Sequence, residues 1–150
     1  MIEKRAFYIN GRWVAPAQGR DYHVINPSTE EPCAVISLGD QADTDAAVAA
    51  ARAAFATFSQ TTPAERLALV RRILAVYERR AEEMSQAMSL EMGAPIDMAR
   101  ASQTGAGSWH IRGFINAFEK VHFAEPLGPH APDNLIVKEP IGVIAMITPW

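Results

Sequence analysis

The sequence predicts an α/β fold, in which β-hairpins and amphipathic helices lead into a strand of a parallel sheet. Three observations carry this. Ile141 to Ile147 is a short apolar run rich in branched residues, with Pro140 before it and Pro149 after it. Such a run reads as a strand buried on both faces, the kind found in parallel sheets. Upstream lie two hairpin signals, at Asn10-Gly11 and at Asn26-Pro27-Ser28-Thr29. Between hairpins and strand lie helical patterns with their own start and stop residues. A two-sided strand needs neighbours on both edges, and nothing earlier in the chain supplies enough parallel partners. The stretch therefore reads as the front part of a longer protein.

Phe7 to Val14 places Asn10-Gly11 between aromatic and β-branched residues, which favours a type I′ turn because both central residues take positive φ. Ala15 to Arg20 is a loop. Val24 and Ile25 form a strand, Asn26 to Thr29 a turn, and Cys33 to Leu38 a second strand paired with the first.

Asp40 with Asp43 marks a helix start, and Val48, Ala51, Phe55 and Phe58 put apolar side chains on one face. Thr62-Pro63-Ala64-Glu65 is the strongest local signal: the threonine caps, proline takes the first helical position, and the glutamate reaches back. Leu67, Val70, Leu74 and Tyr77 line the core face. The arginines around them interleave with Glu78, Glu82 and Glu83, which predicts a solvated, ion-paired face. Helix continues, with a bend, through Met84, Met88 and Leu90. Gly93 and Pro95 stop it. A third helix spans about Ile96 to Phe118, where Gly105, Gly107 and Gly113 permit close approach of another helix. Val121 to Pro132 is a connector, and Asn134 to Lys138 a short strand.

Composition narrows the function. Hydrophobic residues make up 49% and charged residues 21%, a globular composition. A net charge of -3 argues against a nucleic-acid surface. No apolar stretch reaches membrane-span length, and the N-terminus lacks the apolar core of a secretory signal. One cysteine, Cys33, makes no internal disulfide, which suits a reducing compartment and a cytoplasmic location. His23, His110, His122 and His130 have no metal-ligand spacing. No phosphate loop or Ser-His-Asp order appears.

Several motifs in order resemble the aldehyde dehydrogenase superfamily. They are Ile9-Asn10-Gly11-x-Trp13, Asn26-Pro27-x-Thr29, Leu90-Glu91-Met92-Gly93-Ala94-Pro95, and Glu139-Pro140-Ile141-Gly142-Val143 with Ile147-Thr148-Pro149-Trp150. Met92 and Ala94 depart from that family's Glu-Thr-Gly-Lys-Pro. The resemblance implies a domain plan. Residues 1–120 would be the hairpins and helices of the NAD(P)-binding domain, and 121–140 a connector with oligomerisation strands. Residues 141–150 would begin the Rossmann-like dinucleotide-binding sheet.

It also implies an activity: NAD- or NADP-dependent oxidation of an aldehyde to a carboxylic acid by a cytoplasmic homodimer or homotetramer. The nucleophilic cysteine and the general base would lie beyond these residues, leaving no catalytic residue within 1–150. Cys33 follows Pro32 at a strand start, with no base or helix N-terminus to lower its pKa, so it reads as structural. Ile147, Thr148, Pro149 and Trp150 would hold the cofactor through backbone groups at the strand's carboxyl end. In some members, backbone carbonyls matching Val24 and Ile25 hold a monovalent cation, aided by an acid whose place here falls to Gln103. A coenzyme A-acylating enzyme and a non-catalytic scaffold of the same fold are the alternatives.

Overall fold

A computed structural model describes residues 1–148. Three small sheets and a helical layer make up the described residues. The largest sheet has the order β1 (Ile2–Lys4), β5 (Glu31–Leu38), β4 (Arg20–Asn26). Strands β4 (Arg20–Asn26) and β5 (Glu31–Leu38) form an antiparallel hairpin, and β1 (Ile2–Lys4) adds to β5 in parallel. Nothing in the sequence announces β1. It is three residues long with Glu3 and Lys4 exposed, too short and too polar to show alternation. The β4–β5 register slips between Val24 and Ile25, where Ile25 faces Pro32 and Val24 faces Ala34. Cys33 is thus the extra residue of a bulge.

Strands β2 (Phe7–Ile9) and β3 (Arg12–Val14) form the Asn-Gly hairpin. Asn10 and Gly11 take φ of 51° and 76°, as the I′ turn requires. Tyr8 and Trp13 face each other across it, edge to face at 5.2 Å.

Helix α1 (Gln41–Phe58) starts with a reciprocal box between Asp40 and Asp43. Helix α2 (Pro63–Arg79) starts with the Thr62–Glu65 box and Pro63 in its first turn. The expected bend falls at Arg80, after which α3 (Ala81–Met92) continues to Gly93, left-handed at φ 77°. The third helical stretch is continuous but not uniform. A single turn, α4 (Ile96–Met98), passes through a π-helical segment at Ala99–Gln103 into α5 (Thr104–Phe118). Of the glycines in this stretch, Gly107 has a packing reason. Tyr77 of α2 lies so close to Gly107 that any side chain there would overlap it, and its hydroxyl donates to the Thr104 carbonyl at 2.9 Å. Beneath this contact Ser85 and Thr104 share a buried hydroxyl–hydroxyl bond of 2.8 Å.

The exposed arginines behave as the interleaved charges predict. Arg71 pairs with Glu119, Arg112 with Glu78, and Arg80 with Glu83. Arg100 holds Glu82 through two bonds of 2.7 and 3.0 Å. With Gln86 adding a third donor, the Glu82 carboxyl is pulled down to about 2. A carboxyl below its unfolded value stabilises the fold above that value and loses this contribution as pH falls from the ordinary range toward 2. Glu82→Gln should therefore reduce the acid sensitivity of the melting temperature between neutral pH and about pH 3, which a thermal melt at each pH would show. The change should be small, because the pair is exposed.

Beyond α5, β6 (Ala124–Pro126) and β7 (Leu135–Val137) form a two-stranded antiparallel sheet. The strand expected at 141–147 is not formed, and this corrects the reading of a segment buried on both faces. Residues 139–148 carry no strand structure, and Ile141 and Ile147 are 93% and 91% exposed. The reason is the one that made the run look like an interior strand. Apolar branched residues favour a strand, but a strand forms only against partners, and no described residue pairs with this one.

Candidate functional site

Two places were picked out by sequence. Of the cofactor-binding set Ile147, Thr148, Pro149 and Trp150, the first two are exposed in irregular backbone. Pro149 and Trp150 lie outside the described residues. The backbone of 139–148 makes no hydrogen bond to the backbone of another described residue. The set is not joined to Val24 and Ile25 by any sheet pairing.

Around Val24 and Ile25 the geometry is more defined. The two residues flank the bulge, and the Cys33 thiol donates to the Val24 carbonyl at 3.3 Å. Cys33 is half-buried and serves the strand pair, as a structural cysteine does. After Ile25 the chain turns through Asn26, whose carbonyl accepts from the Glu30 N–H at 2.8 Å and whose side chain accepts from the Ser28 N–H at 2.9 Å. This turn presents Pro27 to the end of α3. A Cβ on Gly93 would stand 2.6 Å from Pro27 Cγ.

Helix α3, then, is the element that packs on β4. Gln103 closes the π-helical segment, which packs on α3 from another side. Glu91 is the last acid of α3, two residues before Gly93. It is exposed and has no salt-bridge partner among the described residues. The Leu90-to-Pro95 motif does not announce this contact in sequence: the left-handed turn at Gly93 seats the end of α3 on Pro27.

Among the described residues no group of three or more His, Cys, Asp or Glu side chains could hold a metal, and no helix is long and apolar enough to cross a membrane. A groove of about 770 Å³ lies between β1, α2 and α3, walled by Ile2, Ile73, Val76 and Met84.

Comparison with known proteins settles the kinship. A sequence model of the aldehyde dehydrogenase family matches residues 13–150. The chain belongs to that family. A 3-succinoylsemialdehyde-pyridine dehydrogenase from a Pseudomonas species is 39% identical over 100% of this chain, which spans 31% of that relative's length. The crystal structure of an aldehyde dehydrogenase from Bartonella henselae superposes with a TM-score of 0.85 at 53% identity, over 86% of this chain and 27% of that one. A Pseudomonas syringae aldehyde dehydrogenase C mutant, solved with NAD+ and octanal, superposes at 0.80 with 44% identity, over 83% and 26%. Membership in the aldehyde dehydrogenase family thus rests on the whole ordered chain and on its superposable hairpins and helices. It does not depend on the 141–147 segment forming a strand here.

Proposed function

We propose that this chain is the amino-terminal part of an NAD(P)-dependent aldehyde dehydrogenase. The observation that carries the reading is the family match over residues 13–150. The solved relative with NAD+ and octanal supports both the cofactor and an aldehyde substrate. The balanced reaction is aldehyde plus water plus NAD+ giving carboxylic acid, NADH and a proton. NAD supplies the hydride acceptor. The part of this chain is to position: Ile147, Thr148, Pro149 and Trp150 offer backbone groups to the cofactor, as the family resemblance implies. The nucleophile is assigned outside residues 1–150, because the Cys33 thiol is committed to the Val24 carbonyl.

The same reading gives the Val24 and Ile25 carbonyls to a monovalent cation. Their chemistry fits, since hard cations take backbone oxygens and carboxylates. The exposed apolar residues Leu135, Ile136 and Val137 of β7, on a sheet with open edges, support a homodimer or homotetramer assembled through this region. The location is cytoplasmic.

The test is turnover by the full-length protein with a panel of aldehydes and NAD+ or NADP+, followed by the absorbance of the reduced nicotinamide. Carboxylic acid should form, with no acyl-coenzyme A when coenzyme A is added. No turnover with any aldehyde, together with no binding of either nucleotide, would sink the proposal and favour a scaffold of the same fold.

A further inference from the structure

Helix α2 is apolar on two sides. Leu67, Val70, Leu74 and Tyr77 are half-buried on the side that meets α5. A second stripe starts at Ile73 and Val76 and runs on at helical spacing to Met84 of α3. These three side chains are 50%, 41% and 42% exposed, and with Ile2 of β1 they wall the groove of about 770 Å³. A helix that is apolar on one side only can face solvent with the other, whereas one apolar on two sides belongs between two neighbours. The second side of α2 opens onto the groove. A contiguous apolar surface rimmed by charge marks an interface.

The rim has a sign. Arg80 is satisfied by Glu83 through bonds of 2.8 and 3.1 Å. Lys4 and Arg72 also line the groove, and neither has a salt-bridge partner among the described residues. The complementary occupant is apolar toward the floor and acidic toward the rim. Two copies of this groove facing each other across a twofold axis would set cations against cations, which disfavours that pairing. The chain spans only 31% and 27% of the lengths of two relatives. A segment on the same polypeptide also reaches the groove at high effective concentration, without the association cost of a separate partner. We propose that this groove seats an apolar segment flanked by Asp or Glu, from the part of the same polypeptide carboxy-terminal to residue 150. Lys4 and Arg72 pair with its acids and fix its position. The inference rests on the reading of this chain as the amino-terminal part of a longer protein.

The experiment uses the full-length protein and has two readouts. The first is the rate at which dilute hydrogen peroxide oxidises Met84, followed by peptide mass spectrometry. A covered thioether should react at least about tenfold more slowly than in the urea-unfolded protein, because oxidation follows exposure. The second is carbodiimide coupling, which joins an amine to a carboxylate in contact with it. Lys4 should become linked to an Asp or Glu beyond residue 150, and Arg72→Lys supplies a second amine on the α2 wall. In a refolded mixture of unlabelled and heavy-nitrogen protein, each linked peptide pair should carry one label only. Met84 oxidised as fast as in the unfolded protein would show an open groove and overturn the inference. Links carrying both labels would give the groove to a second copy, and overturn it too. So would Met84 protection with no link from position 4 or, in Arg72→Lys, from position 72, since the occupant would then be something else. Aldehyde turnover by a protein with an open groove leaves the dehydrogenase reading standing. A covered, singly labelled groove in a protein without turnover or nucleotide binding removes that reading and keeps this inference.

Discussion

Gly107→Ala should destabilise the protein by about 1–3 kcal/mol, although alanine is the better helix former. Propensity alone predicts a gain of about 1 kcal/mol for glycine to alanine within a helix. The Tyr77 ring reverses the sign. A Cβ at position 107 would stand 2.2 Å from the Tyr77 hydroxyl oxygen and 2.6 Å from Cζ, overlaps that no small shift relieves. The ring must withdraw, and its hydroxyl then leaves the Thr104 carbonyl. Losing one such bond costs about 1 kcal/mol, and overpacking a close helix contact adds about 1–3 kcal/mol. Together these outweigh the propensity gain. Gly113→Ala is the matched control: the same substitution in the same helix, facing open space, should stabilise by up to about 1 kcal/mol. Urea unfolding of the two variants checks the opposite signs. A Gly107→Ala protein as stable as Gly113→Ala would show that α2 and α5 are not in this contact. A cycle with Tyr77→Phe tests the hydroxyl's share, since the penalty should shrink when the nearest oxygen is absent.

Such contacts separate what was legible in the sequence from what was not. The local devices were legible because each is written in a few adjacent residues. Asn10-Gly11 specifies its turn, Asp40 with Asp43 and Thr62 with Glu65 specify helix starts, and Gly93 with Pro95 specifies a stop. The structure forms every one. The β4–β5 pairing was legible for the same reason, since two strands joined by a short turn have few other ways to pair. Its bulge was not, because a one-residue slip depends on how Pro32, which has no N–H to give, lies against Ile25. Strand β1 was missed because three polar-flanked residues hold no periodicity. The 141–147 run shows the converse. Its composition declares strand, but composition states only a preference, and pairing decides. The site divides likewise. Val24 and Ile25 were named from a linear motif, whereas the seating of Gly93 against Pro27 is seen only in the folded chain. No linear spacing carries that contact.

The largest single-residue loss outside the α2–α5 contact should come from Asp43→Ala, at about 2–4 kcal/mol. Asp43 is the one buried charged residue among the described residues, and its two oxygens serve different parts of the chain. One accepts from the Ala17 N–H at 2.9 Å, tying down the loop between β3 and β4. The other accepts from the Asp40 N–H at 3.1 Å, closing the capping box. Asp40 returns the favour with bonds to the Ala42 and Asp43 N–H groups. Alanine at 43 would strand two backbone donors at once, each costing about 1–3 kcal/mol when left without a partner, whereas Asp40→Ala loses a cap worth about 1 kcal/mol. Asp43→Asn should fall between them, because its amide can turn an oxygen toward only one of the two donors and must offer an N–H to the other. The expected order of stability is wild type, Asp40→Ala, Asp43→Asn, Asp43→Ala, measured by chemical denaturation. Limited proteolysis supplies the local readout. Cleavage within residues 15–19 should accelerate in both Asp43 variants and stay near the wild-type rate in Asp40→Ala, because only Asp43 holds that loop. Equal cleavage in all three would mean that the loop is secured elsewhere, leaving Asp43 as a helix cap alone.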